Sequence, residues 1–236
     1  MHVPNWIGWI SEILQIMTYK SRHFYFNKYI LSLLRREKYH LSYDYKHKAL
    51  WFRTYKVASR SIDDSLRDES KPGQYIYGSQ MSYSPRLFRK YFKFAFVRNP
   101  ETRFISAWKD KVMKQNYFNF EDTKHEEMKD FDQFLSWVEQ LNIDRCDEHL
   151  RSQNSLIDLN HIDFIGRFEH FNHDFQQLTD RIGLKDQSAK HLNKSPKQEL
   201  SLTHTQRLRI YKIYEKDFQI FYPNHLETLM DEHSKT

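Results

Sequence analysis

Two short segments carry side chains whose types and order suit the holding of phosphate-like groups. In Thr54-Tyr55-Lys56-Val57-Ala58-Ser59-Arg60-Ser61-Ile62, one ammonium precedes two hydroxyls, and Ile62 opens a helical pattern. The apolar run Ala49-Leu50-Trp51-Phe52 stands just before it, so the segment reads as a buried strand, a short loop and a helix start. Such a junction turns backbone N–H groups and the positive end of a helix dipole towards an anion. A second segment repeats the plan. A strand over 92–97 ends at Arg98, Pro100 breaks it, and the helix that follows carries Arg103 and Ser106. Two anion sites in one small domain predict a ligand with two separated phosphate-type groups.

Those junctions need a sheet to hold them. Strand patterns at 49–52, 75–77, 92–97 and 162–169 alternate with helical ones at 62–66, after Pro100 towards Met113, and over 131–141, 171–182 and 205–218. That alternation predicts an α/β protein with a central, mostly parallel sheet flanked by helices. Gly183 suits a left-handed cap after the helix over 171–182. Residues 1–45 read as a helical N-terminal arm with basic punctuation, and 46–236 as one domain. Trp6, Ile7, Trp9, Ile10, Ile13, Leu14 and Met17 share one helical face. That face either packs on the domain, the commoner outcome, or makes a peripheral contact with a membrane.

Composition narrows the partners only in part. The formal charge of +6 favours an anion, without choosing among nucleotide, acidic glycan, nucleic acid and membrane surface. A single Cys, Cys146, excludes an internal disulfide and a thiolate metal cluster. His170 and His173 have no third ligand in register, so no metal site is read there. No run reaches the roughly 18 uninterrupted apolar residues of a spanning helix, and the start lacks the marks of a secretory signal. The expectation is a cytoplasmic protein.

The loop at Lys56 lacks the Gly-Lys-Ser/Thr order, and no Asp stands out as a Mg²⁺ holder, which argues against a small-molecule kinase. Its order, Lys first and hydroxyls after, resembles the 5′-phosphosulfate loop of sulfotransferases, the enzymes that use 3′-phosphoadenosine 5′-phosphosulfate. Arg98 and Ser106 resemble the Arg and Ser that hold the 3′-phosphate in that superfamily. Phe94-Ala95-Phe96-Val97-Arg98-Asn99-Pro100, with Arg103, Ser106, Ala107 and Lys111, is similar to a block of sulfotransferase family 2, the carbohydrate branch. So are His149-Leu150-Arg151-Ser152-Gln153, the run 164–169, Asn193-Lys194-Ser195 and the run 213–218. These blocks stand in the family's order and cover about residues 50 to 222.

The resemblance implies a P-loop-like sulfotransferase fold. It also implies a reaction in which an acceptor hydroxyl, expected on a glycan, attacks sulfur in line while 3′,5′-ADP leaves. Lys56 is implied as the catalytic cation. The implied nucleotide contacts are Lys56, Val57, Ala58, Ser59, Arg60, Ser61, Ile62, Arg98 and Ser106, with Asn193, Lys194 and Ser195 closing over the ligand. No metal is called for, because a sulfonyl group carries less charge than a terminal phosphate.

A base must take the hydroxyl proton. His149 is the first candidate, since an imidazole titrates in the useful range and its block lies in the family's site region. Asp63, Asp64 and Glu69 are rivals, against the plainer reading of Asp63 and Asp64 as charge complements to a helix start. The chain departs from the family at Arg60, where a small hydroxyl residue is common. It departs again over 77–83, where several relatives carry a candidate base His and this chain has none. This leading reading has no nucleic-acid partner. The competing one is a non-catalytic basic protein held by nucleic acid or an anionic membrane, with affinity that falls steeply with salt and ignores 3′,5′-ADP. Nothing in the sequence specifies the acceptor or the oligomeric state.

Overall fold

The computed structural model describes residues 37–68, 74–184 and 200–234, together with positions 26, 27, 29–31 and 33. Glu69, the Asn193-Lys194-Ser195 triplet and the apolar face near the start lie outside the described residues. Among the described residues, five strands form one sheet in the spatial order β3-β1-β2-β4-β5. They are β1 (Tyr39–Asp44), β2 (Ala49–Phe52), β3 (Tyr75–Met81), β4 (Phe92–Val97) and β5 (Phe164–Arg167). The pairs β2·β4 and β4·β5 are parallel, whereas β1 runs antiparallel to both β2 and β3.

Parallel strands with cover on both faces are apolar nearly throughout; β2 follows that rule at every position and β4 at all but Lys93, whose ammonium lies 3.5 Å from Asp163. Ala49 and Trp51 of β2, with Phe94 and Phe96 of β4, face α1 (Ser59–Asp68) on one side. Leu50, Phe52, Ala95 and Val97 face the opposite side, with Leu41 and Tyr43 of β1. That placement corrects the expected helical arm over its last residues: 39–44 are a strand inside the sheet. Leu41 and Tyr43 alternate with polar residues, the period of a strand rather than a helix.

Two helices follow the site loops, α1 and α2 (Pro100–Trp108). The latter continues as a π-helical turn, Lys109–Met113. Next come α3 (Asp122–Met128) and α4 (Phe131–Glu139), then α5 (Phe171–Ile182), which ends on Gly183 at φ 71°. The single helix expected over 205–218 is instead α6 (His204–Ile213) and α7 (Glu215–Phe221), parted at Tyr214, with α8 (His225–Ser234) beyond. A separate core of Phe104, Trp108, Phe134, Leu135, Ile210 and Phe218 joins α2, α4, α6 and α7. No helix among the described residues is long and apolar enough to cross a membrane.

Candidate functional site

Because β2 and β4 are adjacent and parallel, the loops leaving their C-terminal ends open on the same edge of the sheet. Open α/β sheets place ligands at that edge. The first loop is tightly wound. Lys56 and Ala58 both hold left-handed backbone, at φ 69° and 61°, a conformation that costs a non-glycine residue roughly 1–2 kcal/mol. Side chains hold the winding in place: the Thr54 hydroxyl donates to the Phe96 carbonyl, and the Ser59 hydroxyl to the Thr54 carbonyl at 2.9 Å. Val57 and Ile62 are fully buried. They anchor the loop; Val57 can meet a ligand only through its backbone N–H, whereas the Ile62 N–H donates to the Ala58 carbonyl at 3.3 Å, which leaves the expected Ile62 contact without a donor. Ser61 is buried in the first turn of α1, and Arg60 is exposed beside it.

The Lys56 ammonium rests on Asp110 of the π-helical turn, 2.9 Å away. Burial pulls Lys56 below the ordinary lysine value, and the Asp110 bond offsets only part of that. Burial alone would raise Asp110. Lys56, aided by Lys111 and Lys114, outweighs it and holds the carboxyl below its usual range.

Arg98 ties the second loop to the first. Its Nη1 donates to the Lys56 carbonyl (3.1 Å), its Nε to the Thr102 hydroxyl (3.0 Å), and its plane lies 4.3 Å from the Phe168 ring centre. The backbone of Arg98 is clamped as well. Its N–H donates to Gln153 Oε1 and its carbonyl accepts from Gln153 Nε2, both at 2.9 Å. Next in the chain, Asn99 donates its N–H to Glu169 (2.7 Å) and caps α2 by accepting from the Glu101 N–H (2.9 Å). Ser106 sits half-buried two helical turns beyond Arg98, and its hydroxyl has no protein partner among the described residues.

His149 comes from the turn before Gln153. Its Nδ1 is 2.9 Å from Asp147 Oδ1, and its ring lies between those of Tyr55 and Tyr117, 4.8 and 4.9 Å away centre to centre. With the proton on Nδ1, Asp147 fixes the tautomer and Nε2 keeps a lone pair for a substrate. Asp147 also receives the Tyr117 hydroxyl at 3.3 Å. Burial would raise its carboxyl, but the His149 and Tyr117 bonds prevail and lower it.

The rivals for the base fare differently. Asp63 accepts from Arg53 (2.6 Å), Arg67 (2.9 Å) and the Tyr75 hydroxyl (2.6 Å), so its oxygens are committed to holding α1 on β3. Those bonds overcome burial and keep its carboxyl below the usual range. Asp64 is exposed on α1.

Several neighbours were not singled out by sequence. Asp110 follows Lys56 by 54 positions and only the fold joins them. Asp147 was the nearer signal, a carboxylate two residues before a candidate imidazole. His40 gave none. It is buried on β1; its Nδ1 lies 3.0 Å from the Tyr55 hydroxyl and 3.1 Å from the Tyr77 hydroxyl, and its Nε2 lies 3.2 Å from the Gln80 amide. Burial, the largest influence on it, keeps this imidazole below its ordinary value. Asp147, Glu148 and His149 also bring their ligand atoms within 4.8 Å of one another, the one such group among the described residues.

A family model described as that of the sulfotransferase family matches residues 28–223, which takes in both loops, the His149 turn and all five strands. No curated protein matches the chain, and no solved structure does.

Proposed function

The chain belongs to the sulfotransferase family, and from that premise we propose that it moves a sulfuryl group from 3′-phosphoadenosine 5′-phosphosulfate to a hydroxyl on a carbohydrate. The family generally uses this donor. The observation that carries the reading is the hydrogen bond from the Arg98 guanidinium to the Lys56 carbonyl. It fixes the spacing of two cations on neighbouring strand ends, which suits one nucleotide charged at both its 3′ and 5′ positions.

In this reading the 5′-phosphosulfate lies against loop 56–61 and the start of α1, held by N–H groups from Val57 to Ser61 and by the hydroxyls of Ser59 and Ser61. Arg98 and Ser106 take the 3′-phosphate, Arg60 adds positive charge at the mouth, and Asn193, Lys194 and Ser195 cover the nucleotide. Lys56 leaves Asp110 for the oxygen that bridges phosphorus and sulfur. The acceptor oxygen bonds to sulfur as the bridging S–O bond breaks, and the electron pair departs on the 5′-phosphate of 3′,5′-ADP. Lys56 stabilises that developing charge, and His149 Nε2 receives the hydroxyl proton while Asp147 steadies the imidazolium.

The test is transfer of labelled sulfur from the donor to a panel of neutral and acidic glycans, with 3′,5′-ADP formed in equal amount. Lys56→Ala is expected to lower kcat by roughly 10²–10³-fold, the loss seen when one preorganised electrostatic contact is removed. Absence of both labelled glycan and 3′,5′-ADP with the native protein overturns the proposal.

A further inference from the structure

Arg103 on α2 and Asp217 on α7 are buried charges of opposite sign, with 1% and 0% of their surface exposed. Neither makes an ion-pair contact among the described residues. Arg103 reaches backbone carbonyls, and Asp217 takes bonds from two backbone N–H groups and one side-chain amide. Arg103 Nε donates to the Tyr55 carbonyl (3.1 Å) and its Nη2 to the Glu148 carbonyl (3.3 Å). Asp217 accepts the Gln153 N–H (2.7 Å), the Asn154 N–H (2.8 Å) and the Asn154 side-chain amide (2.7 Å).

The residues reached this way are telling. Tyr55 immediately precedes Lys56, and Glu148 immediately precedes His149, so one rigid guanidinium fork spans the loop of the proposed cation and the turn of the proposed base. Gln153 is the residue whose amide grips the backbone of Arg98 on both sides. The Tyr214 hydroxyl adds a third tie, to the Leu150 carbonyl at 2.7 Å, and it lies at the break between α6 and α7 that also brings Asp217 to the turn. Segment 147–154 is thus pinned from α2 at one end and from α7 at the other. A buried charge is costly unless its hydrogen bonds are filled, and here every bond named sets a piece of the site.

We propose that Arg103 and Asp217 are positioning residues: together they set the register of the 147–154 turn against the two donor loops, Arg103 fixing His149 relative to Lys56 and Asp217 fixing Gln153 relative to Arg98. This rests on the donor reading above. It assigns the two charges separable effects, one on turnover and one on recognition of the 3′-phosphate.

The experiment measures kcat at saturating donor, together with affinity for 3′,5′-ADP and for 5′-AMP, in the full chain. Arg103→Lys keeps the charge but cannot fork to two carbonyls. It is expected to lower kcat by ~10–100-fold, the scale of a 1 Å misplacement, while 3′,5′-ADP still binds as in the native protein. Asp217→Asn keeps the shape but loses one acceptor oxygen, and it is expected to erase most of the preference for 3′,5′-ADP over 5′-AMP. Full turnover in folded Arg103→Lys overturns the proposal. So does a loss of both nucleotides in equal proportion in Asp217→Asn, which would mark these residues as general scaffolding. If Asp217→Asn fails to fold, Gln153→Ala decides its part: loss of the 3′,5′-ADP preference with 5′-AMP binding kept supports the clamp, and an unchanged preference removes it; if Arg103→Lys fails to fold, Arg103→Gln takes its place with the same two outcomes. A native protein that binds the two nucleotides alike contradicts the donor reading itself, a result distinct from any variant's.

Discussion

At the scale of single residues, the pairing of Lys56 with Asp110 defines the free protein. The ammonium that should meet the donor already has a carboxylate 2.9 Å away, so an incoming anion must displace Asp110 before it gains Lys56. Asp110→Asn is therefore predicted to tighten 3′,5′-ADP binding by up to ~10-fold, about 1.4 kcal/mol, in a direct titration. Weaker binding would show that Asp110 aims Lys56 rather than competing for it. Lys56, Arg98 and Ser106 stand out in the sequence because type, order and spacing along the chain mark them. The contacts of Asp110, Arg103 and His40 do not, because they span 54, 48 and 15 positions. Asp63 was legible as charged but not as occupied; its three hydrogen bonds depend on β3 and Arg53 lying beside α1.

At the scale of elements, the parallel strands β2 and β4 were readable to the residue, since burial on both faces leaves a short apolar run, unbroken in β2 and interrupted only by Lys93 in β4. β1 was not. Its alternating Tyr-His-Leu-Ser-Tyr-Asp follows a mixed basic stretch, and one of its two pairing partners is β3, which lies farther along the chain. The break at Tyr214 was equally hidden, because apolar residues run through it without a Gly or Pro. β4 and β5 meet at Gly166, where a Cβ would press into the Phe96 ring. Phe96 is fully buried, and its carbonyl anchors Thr54 at the root of the first loop. Gly166→Ala is predicted to destabilise the fold by about 1–3 kcal/mol and to weaken nucleotide binding with it. A melting temperature equal to the native one would show that the strand pair yields without cost.

At the scale of the whole molecule, acid should unfold the protein through a few carboxylates. Asp63, Glu101 and Asp147 are all held below their ordinary values, in spite of burial, by hydrogen bonds from partners: Tyr75, Arg53 and Arg67; His225 and Arg207; His149 and Tyr117. A depressed native value means that the unfolded chain binds protons first. Stability is then complete above the ordinary carboxylate range of about 4 and falls as pH drops through and below it. The melting temperature is predicted to hold between about pH 7 and 5 and to fall below about pH 4, with a shallower fall in Asp63→Asn; stability that rises on acidification would refute this. The sheet, its helical cover and the +6 charge all serve one claim, that a single nucleotide bridges Lys56 and Arg98. Calorimetric titration of the native chain with 3′,5′-ADP tests it most directly. The account predicts saturable binding at one site per chain, weakened ~10-fold or more by either Lys56→Ala or Arg98→Ala, and the absence of binding to the native protein would contradict it.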